Sequence, residues 1–265
     1  MACNRYDLME TILISLVALG ASFLTLFSGF GLGTLLMPVV ALFFPLEVAI
    51  GVTAIVHLAN NLFKVKLLGK QAHMGVLLRF GLPAVLAAFA GAGVLVWLAD
   101  SGSTIHYQVF GHALQTTSLK LLVGGLILLF VLLEFSKTFA SIKLNPKFLP
   151  LGGVVSGFFG GLSGHQGAFR SMFLLKAGLT KEQFVATSVM VAVMVDVSRL
   201  LIYGRDLAEN PQSLEWPLII AASLSAFLGA FLGKKMLQKI TIKTIHILVS
   251  VLLMVVAVGL MTGLI

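Results

Sequence analysis

Ser28-Gly29-Phe30-Gly31-Leu32-Gly33 interrupts one apolar run, and Gly160-Gly161-Leu162-Ser163-Gly164-His165-Gln166-Gly167 interrupts another. Each break is followed by an apolar stretch too short to cross a bilayer. Residues 34–44 give about 16 Å of helix at about 1.5 Å per residue, near half of a hydrocarbon core of about 30 Å. Residues 165–177 read the same way. Irregular backbone cannot face lipid, because its N–H and C=O groups would lack partners. Both breaks are therefore expected inside protein or along a cavity.

The rest of the chain supplies the membrane setting. Of 265 residues, 58% are hydrophobic and 11% charged, with a mean hydropathy of +1.05. Soluble domains carry about twice that share of charge, so an ordinary cytosolic enzyme is excluded. At about 20 residues per crossing the chain has material for about eight to ten spans. Apolar stretches fall at 10–28, 31–44, 46–63, 79–99, 119–136, 148–163, 165–177, 183–203, 215–233 and 244–264. The first, with Arg5 ahead of it and Ala18-Leu19-Gly20 inside it, has some look of a signal peptide. Its apolar run continues past that point, so it reads as part of the mature chain. The single cysteine, Cys3, excludes an internal disulfide.

Sliding the chain by 135 positions lays Ser28-Gly29 on Ser163-Gly164, Met37 on Met172 and Glu47 on Glu182. It also lays Thr53 on Ser188, Lys64 on Arg199 and Gly69-Lys70 on Gly204-Arg205. One ungapped offset that aligns the breaks and the helix ends points to an internal duplication. Each half then holds five segments with an odd number of crossings, so the second half is expected inverted. The expectation is an all-α polytopic bundle of two inverted repeats, residues 1–136 and 137–265, with re-entrant or broken half-helices. Such repeats place a site where interrupted helices meet.

The basic residues give an orientation. Lys64, Lys66, Lys70, Arg79, Lys137, Lys143, Lys147, Lys176, Lys181, Lys234, Lys235, Lys239 and Lys243 fall on one side, and Arg5, Lys120, Arg199 and Arg205 on the other. The positive-inside rule puts the first set in the cytoplasm and both termini outside, in a cell (inner) membrane protein. The net charge of +8 then reflects orientation among anionic lipids; no nucleic acid partner is expected. Loop 100–117 falls outside. Gly153, Gly157 and Gly161, and separately Ala221, Ser225, Gly229 and Gly233, recur every four residues and read as close helix contacts.

Polar groups at membrane depth mark function by default. A half-helix starting near the midplane directs free N–H groups and a positive dipole end inward, which suits an anion. Candidate substrate ligands are Gly29, Gly31, Gly33 and Thr34 of the first break and Gly164, His165, Gln166 and Gly167 of the second. Arg170, one and a half turns into the second half-helix, adds five donors and a fixed charge. Its alternatives are an ion pair with Asp196 or an interfacial position. Thr53, His57, Asn60 and Lys64 share one helix face, and Thr53 with its repeat partner Ser188 offers hydroxyl donors. His57, Asn60, Asn61, Asp196 and Arg199 are candidates for coupling or gating, although Asp196 and Arg199 also have the spacing of a structural ion pair.

No catalytic, nucleotide-binding or metal-ligand motif occurs, so no enzyme, cofactor or metal is expected. The expected partners are a small anionic substrate and membrane lipids, with a homodimer left open as an assembly. A passive anion channel and an intramembrane enzyme or assembly subunit are the rival readings.

The chain resembles the TauE/SafE family of membrane permeases, the sulfite exporters. The resemblance rests on Ser28 through Pro38 with Pro45 and Ala49-Ile50-Gly51-Val52-Thr53, and on Gly157 through Gly164 with Met172 and Ala186-Thr187-Ser188. The family's second break usually carries more glycines followed by a proline. Here it reads His165-Gln166-Gly167-Ala168-Phe169-Arg170, with Phe173 at the position related to Pro38. The resemblance implies transport of small sulfur-containing anions, such as sulfite or organosulfonates, across the cytoplasmic membrane.

Overall fold

The structure, a computed structural model, describes residues 8–28, 31–109, 112–136, 144–209, 215–236 and 243–264. Ten α-helices lie among them: α1 (Leu8–Ser28), α2 (Leu32–Val40), α3 (Leu46–Leu68), α4 (Met74–Asp100), α5 (Ser118–Phe135), α6 (Leu149–Ser163), α7 (Gly167–Leu174), α8 (Lys181–Glu209), α9 (Trp216–Met236) and α10 (Lys243–Met261). They coincide with the ten apolar stretches. The two half-length elements are α2, with 9 residues, and α7, with 8. Five described helical segments are long and apolar enough to cross a membrane: Leu8–Thr25, Leu46–Gln71, Met74–Asp100, Lys181–Gly204 and Trp216–Lys235. The chain is an all-α, multi-pass membrane protein.

Local chemistry sets the helix ends. His73 caps α4 by accepting from the Val76 N–H at 3.2 Å, and Thr117 caps α5 by accepting from Lys120 at the same distance. Pro45 starts α3, where a missing N–H costs nothing. Helix α6 stops at Gly164, whose φ of +78° is the left-handed cap that glycine adopts freely.

Loop 100–117 departs from expectation. It folds into an antiparallel hairpin of β1 (Thr104–Val109) and β2 (His112–Thr117), with Thr104 opposite Thr117. Thr104, Ile105, Tyr107 and Val109 have the β-branched and aromatic character of a strand, in a run too short to register beside the apolar helices. Thr116 Oγ1 donates to the Leu260 carbonyl at 3.0 Å, fastening the hairpin to the end of α10.

Burial runs opposite to that of a soluble domain. Leu8, Leu16, Leu86, Leu201, Leu224 and Val255 are exposed, while Lys64, Arg170, Asp196 and Arg199 are buried. Apolar side chains turned outward and charges turned inward are what a lipid surround demands. Two orientation markers need correcting. Lys64 and Arg199, assigned to loops from the sequence, lie inside α3 and α8 at 4% and 2% exposure. Each sits on the buried helix face with Thr53 or Ser188, a neighbourhood that charge counting along the chain ignores. Without them the basic residues divide twelve against three. Arg5, Lys137, Lys143 and Lys239 of that count, with Cys3, lie outside the described residues.

Helix α4 packs along α6, α1 along α9, α3 across α8, and α5 against α10. Exchanging α1–α5 for α6–α10 interchanges the α4–α6 and α1–α9 pairs and returns α3–α8 and α5–α10 to themselves. The glycine rows mediate two of them. A Cβ on Gly153, Gly157 or Gly161 would lie 2.1 Å from the carbonyl oxygen of Phe80, Ala84 or Ala88 on α4, and one on Gly229 would lie 2.2 Å from that of Leu19 on α1. Backbone cannot yield by that much, so overpacking here should reach about 3 kcal/mol or more. Gly157→Val is expected to abolish the monodisperse peak in size-exclusion chromatography of detergent-purified protein. Gly125→Ala, where a new Cβ meets nothing within 4 Å, should elute as wild type.

Candidate anion-binding site

The crossing of α3 and α8 is organised by Asp196. Its Oδ2 lies 2.6 Å from His57 Nδ1 and accepts from Asn61 Nδ2 at 3.1 Å. Its Oδ1 accepts from Arg199 Nε at 3.1 Å and lies 2.9 Å from Arg199 Nη2. All four side chains are buried. Asn61 and Asp196, in contact here, are 135 positions apart, the same offset that aligns the two breaks in the sequence.

The breaks sit against this cluster and against each other. A Cβ on Gly33 would lie 3.9 Å from the Gly164 carbonyl oxygen and 3.7 Å from Thr53 Cγ2. One on Gly31 would come within 3.0 Å of His57 Nε2, and one on Gly164 within 2.7 Å of Arg199 Nη1. Gly164 therefore answers two demands, a positive φ and room for a guanidinium. Gly164→Ala is expected to cost about 1–2 kcal/mol from backbone strain alone. The check is a lowered melting temperature, with Arg199 forced off the Asp196 carboxylate.

Beside the crossing lies a cavity whose polar wall is Thr25, His57, Asn61, Lys64, Arg170 and Ser188, with Phe184, Val185 and Val189 on its apolar side. Arg170 is 4% exposed, and its Nε and Nη1 are buried without a hydrogen-bond partner. The Ser188 and Thr53 hydroxyls, His165 Nε2 and the Gln166 side-chain amide are likewise buried and unpartnered. Buried polar groups nearly always find partners, so this concentration calls for an explanation. Lys64 Nζ donates to Thr25 Oγ1 at 3.1 Å. The Asn60 amide, turned so that its oxygen accepts from Lys64 at 3.2 Å, donates to the Ala226 carbonyl. Among the described residues, no Asp or Glu lines the cavity.

A profile described as sulfite exporter TauE/SafE matches residues 14–260. The chain belongs to the TauE/SafE family. No curated protein and no solved structure matched it. TauE/SafE proteins are membrane transporters, and the polar cavity within a lipid-facing bundle accords with that membership. Among the described residues of this TauE/SafE chain, no three His, Cys, Asp or Glu side chains group as metal ligands.

Of the residues singled out in sequence, Gly31, His57, Asn61, Arg170 and Ser188 line the cavity. Thr53, Gly33 and Gly164 meet at the breaks. Asp196 and Arg199 stand behind the wall as its scaffold. Thr34 is buried in the first turn of α2, its N–H on the Gly31 carbonyl at 3.1 Å. Asn60 does not line the cavity but hydrogen-bonds Lys64, which does, and Ser22. The ring of His165 stacks on Phe130 at 5.6 Å, and Gln166 and Gly167 begin α7 without lining the cavity. Gly29 lies outside the described residues. Sequence reasoning missed Thr25 and Lys64 as cavity residues. The signal for Lys64 was present, since it shares a helix face with Thr53, His57 and Asn60, but its charge was read as belonging to a loop.

Proposed function

We propose that the chain is a secondary transporter that moves small anions, of the sulfite or organosulfonate class, across the cytoplasmic membrane by alternating access. The observation that carries this reading is Arg170: a buried guanidinium, beside two broken helices, whose Nε and Nη1 have no hydrogen-bond partner among the described residues. A sulfur oxyanion supplies acceptors and charge in the geometry a guanidinium prefers. Ser188 and His57, on the same wall, add two further polar contacts. The substrate class follows from the family. The preference for an anion follows from the residues.

The moving parts are two inverted halves, 1–136 and 137–265, rocking about the crossing of α3 and α8. The 135-residue relation of Asn61 to Asp196 and the exchange pattern of helix pairs support that division. The twelve-to-three distribution of basic residues supports a cytoplasmic face at the α3–α4 loop, with both termini outside.

Flux of labelled sulfite into proteoliposomes tests the proposal. A transporter saturates and is accelerated by sulfite loaded on the opposite side. Flux that rises linearly with concentration and ignores the opposite side identifies a channel. No flux under any gradient removes the transport reading.

A further inference from the structure

Two buried cations face the same cavity. Lys64 and Arg170 both line it and are each 4% exposed. The nearby carboxylate, Asp196, is already engaged by Arg199, His57 and Asn61. Among the described residues Lys64 has only neutral partners, Thr25 Oγ1 and the Asn60 amide oxygen, which occupy two of its three donors. Arg170 Nε and Arg170 Nη1, without a hydrogen-bond partner among the described residues, remain for a ligand. Pairing Asp196 with Arg199 leaves the cavity wall with an excess of two positive charges. A buried charge is tolerated only when it is paired.

From this we infer that the site is matched to a doubly charged oxyanion, and that Lys64 is the side chain that sets the charge preference. The inference rests on the anion-transport reading and adds to it. Arg170 grips one edge of the anion, while Lys64, from α3, supplies the second charge that a singly charged sulfonate leaves unanswered. A monoanion of the same shape would leave one cation unpaired in a low-dielectric wall, where the deficit is felt most strongly.

Sulfate and methanesulfonate test this directly, because both are tetrahedral at sulfur and differ in charge by one. Each is titrated as an inhibitor of labelled sulfite flux in proteoliposomes. Wild type is expected to be inhibited by sulfate at least about tenfold more strongly than by methanesulfonate. Lys64→Gln should bring that ratio near one by weakening sulfate, and Lys64→Arg should keep it. An unchanged ratio in Lys64→Gln, or a wild-type ratio at or below one, overturns the inference while sulfite flux itself leaves the transport reading standing. Should Lys64→Gln fail to fold, the wild-type ratio alone decides. Absence of sulfite flux in wild type sinks the parent reading, and this one with it.

Discussion

Arg170→Ala is expected to abolish anion binding while leaving the fold intact or slightly more stable. The guanidinium presents two buried donors with no partner among the described residues, and hydrogen bonds to charged groups contribute about 1.5–3 kcal/mol each. Losing both weakens substrate by about 100-fold or more, at about 1.4 kcal/mol per tenfold. Stability should move the other way. An unpaired buried charge is destabilising, so removing it relieves a desolvation penalty. The measurement is apparent affinity in the flux assay together with the melting temperature of the purified protein. A variant that transports with wild-type affinity takes Arg170 out of the site. A variant that melts well below wild type gives it a structural role instead.

Asp196→Asn is expected to behave in the opposite sense. The carboxylate joins α3 to α8 through His57, Asn61 and Arg199, and none of these groups is exposed to solvent. Breaking a buried ion pair by removing one partner costs about 3–5 kcal/mol, because the other charge is left uncompensated. Asp196→Asn should therefore lower the melting temperature sharply. Adding Arg199→Gln should restore part of the loss, since the pair and not the acid alone carries the effect. If the single variant melts as wild type, the α3–α8 crossing is held by apolar packing. If the double variant is no better than the single, Arg199 is stabilised by something other than Asp196.

These two side chains show how far the sequence carries and where it stops. The half-helices were legible because a glycine-rich break and a short apolar run are local features. The 135-residue offset was visible because it is a relation within the chain. Gly153, Gly157 and Gly161 announced a close contact, though only the structure supplies α4 as its partner. Arg170 could be flagged as a charge at depth, yet its alternatives stayed open because they depend on which carboxylate lies nearby. The structure gives Asp196 to Arg199, His57 and Asn61. Lys64 shows the converse failure. Its helix face was visible, but its position near the end of α3 gave it the look of a loop charge. A lysine beside lipid reaches for water; this one is enclosed by Thr25 and Asn60. The β-hairpin was missed because two six-residue strands carry little weight beside long apolar helices.

The central claim is that an anion is held where the two breaks meet. Selenite is a pyramidal oxyanion close to sulfite, and its selenium scatters anomalously. Diffraction from crystals grown with selenite locates it without reference to transport. The account predicts an anomalous peak in the cavity between α3, α7 and α8, within hydrogen-bond reach of Arg170 Nε and on the side of Ser188. Peaks confined to the exposed lysines of the loops, with none beside Arg170, would contradict it.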